Sequence, residues 1–265
     1  MTADQPADAR SVRSAGAQAS GGVGHVPTWS RLADSRVGRL FRPALIDKID
    51  RDHQQSDAAF RRRRIVVAVV VVLGATLLGI SLSVRPADPA FYPLTLGLAA
   101  LWVAGGFASG PLHLGWEGSP RGIRRPIVVP VLLGLAAGAV FVVGALIVRD
   151  IGPVHRLVNS VLAHARFGST PVVLLIALLN GVAEEVFFRG ALFAAIGRKR
   201  PVLISTIVYT LATLATGNFM LVFAALTLGL VLGLERRATG GILAPILTHV
   251  TWSLVMFFAL PPLFA

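Results

Sequence analysis

The chain has 265 residues, of which 54% are apolar and only 14% charged, and its mean hydropathy is +0.72. An ordinary soluble domain carries about 25% charged residues, so this composition excludes a disordered chain and counts against a soluble globular enzyme. The absence of cysteine excludes disulfide scaffolds, thiolate zinc sites and cysteine nucleophiles. The net charge is +12, and 12 of the 25 Lys and Arg lie within residues 1–64. The others sit mostly in short gaps between apolar runs, which is a membrane pattern and not a nucleic-acid stripe, so no nucleic-acid partner is expected.

Residues 1–64 read as a cytoplasmic tail, largely disordered and rich in Ala, Ser, Gly and Asp over 1–35. Within it Val37, Leu40, Phe41, Leu45 and Ile49 recur at helical spacing, flanked by Arg36, Arg39, Arg42 and Lys48. That pattern suits a surface helix over 37–49 on an anionic membrane, although Pro43 interrupts it. No signal peptide is expected, because the first long apolar run starts only at Ile65.

Seven apolar runs follow, over 65–84, 90–109, 126–148, 170–193, 201–216, 219–234 and 240–261. A bilayer core of about 30 Å needs about 20 helical residues. The expected fold is therefore all-α, a polytopic transmembrane bundle of about seven spans, with no competing strand alternation. The fifth and sixth runs are shorter and are expected to be inclined, broken or buried. Three gaps carry Arg121, Arg124 and Arg125, then Arg198, Lys199 and Arg200, then Arg236 and Arg237. With the basic tail they place the N-terminus in the cytoplasm and the C-terminus outside, in a plasma membrane. The 149–166 gap has Val154, Leu157, Val158, Val161 and Leu162 on one helical face and reads as an outer interfacial helix. The chain thus divides into the tail, N-terminal helices over 65–169 and C-terminal helices over 170–265.

Small residues inside the spans are expected to let helices approach. The GxxxG pair Gly134 and Gly138 offers a candidate homodimer face. Trp102, Trp116 and Trp252 read as interface anchors.

The fourth run places Glu184, Glu185 and Arg189 inside an apolar helix. Each charge costs about 2.5–3.5 kcal/mol at a bilayer centre on insertion scales, so each needs a partner or a wet cavity. Glu185 and Arg189 are four apart and can pair. Glu184 points about 100° away, with Asn180 on its own face. His249 is the only histidine within an apolar run; Ser253 follows one turn on, and Pro245 frees a carbonyl one turn before. One reading is an ion pair that locks helix packing. The other is a general base, proton carrier or metal ligand in a hydrated cavity.

Residues 170–265 resemble the CPBP intramembrane proteases, also called the Abi or CAAX-protease and bacteriocin-processing family. Their first motif matches Glu184-Glu185-Val-Phe-Phe-Arg189. Their last, His-x-x-x-Asn/Asp, matches His249-Val-Thr-Trp-Ser253. Between them an aromatic residue and three more precede a histidine, and here the stretch is Tyr209-Thr-Leu-Ala-Thr213. The resemblance implies an intramembrane endopeptidase acting on a membrane-associated peptide or protein. Glu184 would activate water, Glu185 and Arg189 would support it, and His249 would orient the water, bind metal or stabilise the oxyanion. Asn180, Tyr209, Thr213 and Ser253 would be supporting residues. The cofactor would be none or a single zinc ion on Glu184 and His249. Thr213 and Ser253 depart from the family pattern, and zinc ordinarily wants three protein ligands. Two other functions stay open: a catalytically weakened relative serving as a membrane scaffold or immunity-type partner, and an ion- or proton-coupled transporter.

Overall fold

A computed structural model describes residues 35–49, 55–119, 122–167 and 169–265, so most of the expected tail lies outside the described residues. The helices are α1 (Arg36–Leu45), α2 (Asp57–Ser83), α3 (Phe91–Ser109), α4 (Val128–Val148) and α5 (Gly152–Phe167). They continue as α6 (Thr170–Ile196), α7 (Pro201–Leu214), α8 (Phe219–Thr239) and α9 (Leu243–Leu263). Among the described residues, α2, α3, α4, α6, α8 and α9 are long and apolar enough to cross a membrane. The protein is an all-α multi-pass membrane protein. Its outer faces carry bare Val72 and Ile147, 65% and 74% exposed, as lipid-facing positions require.

The expected seventh traverse is made by α7, whose 14 residues span only about 21 Å at 1.5 Å per residue. It still carries the chain between the two ends of the bundle. It starts next to the arginine-rich stretch after α6, and Asn218 just beyond its end donates Nδ2 to Leu157 O at 2.7 Å on α5. The two ends sort as the charge pattern implies. At one end Arg62 donates to Ala108 O, Arg63 to Pro111 O and Arg64 to Ala195 O, so the start of α2 ties down the ends of α3 and α6. At the other end His164 Nε2 lies 3.2 Å from Val84 O, and Arg166 donates to Phe264 O. Helix α5 is therefore packed onto the bundle, with Leu162 and His164 buried.

Several local features differ from expectation. A two-stranded hairpin, β1 (Glu117–Ser119) and β2 (Gly122–Arg124), sits at the basic end, with Glu117 opposite Arg124 and their side chains 2.8 Å apart. Three residues per strand are too few for alternation to show. Helix α1 forms with Ser35 capping Gly38 N, and it docks on the end of α8, where Arg237 donates to Leu45 O and Ile49 N to Ala238 O. Pro43 is tolerated in its last turn. Trp102 is no interface anchor: it is 1% exposed and packs on Phe187 and Phe188, with ring centroids 4.6 and 5.0 Å away. Gly74 makes room for its ring.

The GxxxG pair faces inward. A side chain at Gly134 would meet Thr248 O and Thr251 at 2.7 Å, and one at Gly138 would meet Val255 at 2.8 Å. That face is taken up by α9 within the chain, so it offers no dimer contact. Pro245 lies in the first turn of α9, and the carbonyl it would free belongs to Gly241, before the helix. The carbonyl expected to be freed within the helix one turn before His249 is therefore not there, because a first-turn proline removes no intrahelical bond.

Candidate active site

Helix α6 carries the charged motif, and its hydrogen bonding loosens there into a π-helical stretch, Glu185–Leu192. Such stretches are rare and concentrate at functional sites. Glu185 and Arg189 are 0% and 1% exposed, and Arg189 Nη1 donates to Glu185 Oε1 at 2.8 Å. The i,i+4 pair read from the sequence is formed. Arg189 Nη2 also reaches Gly229 O of α8 at 3.4 Å, and its guanidinium lies 4.7 Å over the Tyr209 ring.

His249 on α9 closes on the same carboxylate. Its Nδ1 lies 2.9 Å from Glu185 Oε1, so one oxygen serves both Arg189 and His249. The imidazole rests over Gly181 of α6; a Cβ there would touch its Nε2 at 3.7 Å. With Nδ1–H given to Glu185, Nε2 is the free nitrogen. Trp252 flanks the ring edge-on at 6.1 Å.

Glu184 is half-buried and takes no bond from Arg189. Its Oε2 accepts from Tyr209 Oη at 2.6 Å, across from α7, and His249 lies within its electrostatic range. Tyr209 is thus a direct partner of the first glutamate. Asn180 binds α6 to α3 instead, donating Nδ2 to Thr95 O at 3.2 Å and to Ile176 O of its own helix. Thr213 does not enter the cluster: its hydroxyl donates to Tyr209 O one turn back in α7. Ser253 is half-buried one turn beyond His249 and forms none of the bonds that hold the cluster together. A surface cavity of about 540 Å³ lies at the basic end, lined by His113, Trp116, Arg125 and Thr239 among others, and it shares no residue with the cluster.

The donor set does not fit a tight zinc site. No group of three or more His, Cys, Asp or Glu among the described residues could hold a metal ion. The oxygen of Glu185 nearest His249 is already committed to Arg189 and the imidazole, and Thr213 is turned into its own helix.

Two buried residues escaped the sequence reading. Glu235 is 0% exposed, and its Oε1 lies 2.8 Å from Thr248 Oγ1. Arg236 Nε donates to Arg189 O at 2.6 Å, and its guanidinium lies over Phe193. Both looked like gap residues because the apolar run stops at Leu234. The signal that places them inside the helix is Gly240, at φ +74°, where α8 ends.

The family model described as type II CAAX prenyl endopeptidase Rce1-like matches residues 166–255. Over that stretch the chain is similar to that family. The match begins at the end of α5 and runs through His249, so it takes in every residue of the cluster and is consistent with a protease of the CPBP kind. No curated protein and no solved structure gives a significant match.

Proposed function

We propose that the protein is an intramembrane endopeptidase that hydrolyses a peptide bond of a membrane-associated substrate. The matching family's name makes prenylated CAAX peptides the first class to test. The observation that carries the reading is the convergence of Glu184, Glu185 and His249 from two helices, with Glu184 kept out of the ion pair. Tyr209 holds one oxygen of Glu184 and leaves the other for water. Glu184 takes a proton as the water oxygen bonds to the scissile carbonyl carbon. The charge moves to the carbonyl oxygen, which an Nε2–H of His249 stabilises, the ring being oriented by Glu185. A single well-placed donor of this kind is worth about 3–4 kcal/mol. The C–N bond then breaks, and the leaving amine takes the proton from Glu184. Arg189 fixes Glu185, so its role is positioning. No step needs a metal ion.

In this reading the basic end of the bundle faces the cytoplasm, the N-terminus with it, in the plasma membrane. The test is cleavage of a farnesylated CAAX reporter peptide by purified protein in detergent. Glu184→Gln and His249→Ala each lower kcat at least 100-fold, the usual scale for a general base. Cleavage unchanged by both substitutions refutes the assignment.

One observation favours a second reading. Thr213 occupies the family's middle-histidine position with its hydroxyl tied to its own helix. A weakened relative that binds membrane partners would look the same, and it gains turnover when Thr213→His restores the motif. A transporter would instead show pH-dependent flux in liposomes.

A further inference from the structure

Glu235 has no part in the reaction above, yet it is fully buried one turn before the end of α8. Its Oε1 lies 2.8 Å from Thr248 Oγ1, and its Oε2 has no hydrogen-bond partner. Thr248 is itself 0% exposed and lies 2.9 Å from Pro130 O of α4. The hydroxyl thus meets two oxygens while owning one proton. Pro130 O can only accept. If Thr248 gives its proton to Pro130 O, its lone pair faces Glu235, and only a protonated carboxyl can donate there. If it gives the proton to Glu235, a buried carboxylate is held by one bond and Pro130 O faces a lone pair. The first arrangement leaves both short contacts favourable and buries no naked charge.

Thr248 immediately precedes His249. Adjacent helical side chains point about 100° apart, so a clamp on Thr248 sets the rotation of α9 about its axis. At a side-chain radius of about 6 Å, a 20° rotation would carry the imidazole about 2 Å from Glu185. We propose that Glu235 is a neutral carboxylic acid donating to Thr248, and that the chain Glu235–Thr248–Pro130 positions His249 against Glu185. Glu235 is a positioning residue, and the kinetic part of its test rests on the protease reading.

The experiment uses the full chain in detergent with the farnesylated CAAX reporter. Thr248→Val and Glu235→Leu each lower kcat at least tenfold with KM within twofold of wild type. Thr248→Ser restores the hydroxyl and recovers kcat to within threefold. Glu235→Gln supplies an N–H donor and recovers it relative to Glu235→Leu. A Glu235→Gln protein as inactive as Glu235→Leu, or wild-type kcat in Thr248→Val, overturns the proposal. Infrared difference spectra provide a readout independent of turnover. A carboxylic C=O band present in wild type and lost in Glu235→Gln supports the neutral acid; a carboxylate band lost instead overturns it. If wild type shows no cleavage, the protease reading fails alone. The positioning claim then stands or falls on ¹⁵N-histidine NMR, with His249 ring nitrogens shifted in Thr248→Val and restored in Thr248→Ser. Unshifted resonances in Thr248→Val overturn it.

Discussion

His249 Nδ1 and Arg189 Nη1 share one oxygen, Glu185 Oε1, at 2.9 and 2.8 Å. The second glutamate of the motif is thus the hub that joins α6 to α9. The first is left to Tyr209 on α7. The roles of the two adjacent carboxylates follow from the helix faces they occupy.

The hub makes Glu185 and Arg189 matter for folding as well as reactivity. Arg189→Met leaves a buried carboxylate without its cation, a change that costs about 3–5 kcal/mol in buried pairs. A thermal melt in detergent should fall sharply for Arg189→Met. Glu185→Gln combined with Arg189→Met should recover part of the loss, since no unpaired charge then remains.

Tyr209→Phe tests the other carboxylate. It removes the 2.6 Å bond to Glu184 and keeps the ring beneath Arg189 and beside Phe188. The expected result is a folding stability changed by no more than about 1 kcal/mol, the worth of one hydrogen bond, with kcat reduced about tenfold. Unchanged reporter cleavage would separate Tyr209 from the chemistry.

Gly181 sets the space for the imidazole. A methyl group there meets His249 at 3.6 Å, ordinary contact, so Gly181→Ala should retain activity. Gly181→Leu should displace the ring and abolish cleavage, because misplacement by about 1 Å can cost 100-fold. Equal activity of the two variants would mean that the ring does not sit over Gly181.

The inward GxxxG pair gives a stability prediction. Gly134→Leu forces a side chain into Thr248 O and Thr251 of α9. Overpacking of this kind costs about 1–3 kcal/mol, occasionally more, so the melting temperature should fall. The mass of the detergent complex by light scattering should stay the same, because the face is internal.

The architecture was legible in the sequence because it is written in one dimension. Apolar runs of about 20 residues mark helices that satisfy their own backbone in lipid, and basic gaps sort their ends. The Glu185–Arg189 pair was legible too, since i,i+4 spacing alone brings it together. Where the runs misled, a cap or contact overruled hydropathy: α8 continues past Leu234 through buried Glu235 and Arg236 to Gly240.

What only the tertiary structure decided is rotation about the helix axes. Hydropathy marks α6, α7 and α9 as apolar helices but not which of their faces meet. The register of α9 against α6 assigns His249 to Glu185, and α7 turns Tyr209 toward Glu184 while folding Thr213 back on itself. Packing against α9 likewise turned the glycine pair of α4 inward. Such contacts join residues tens of positions apart, and they depend on side-chain volumes across several helices at once, which no local pattern records.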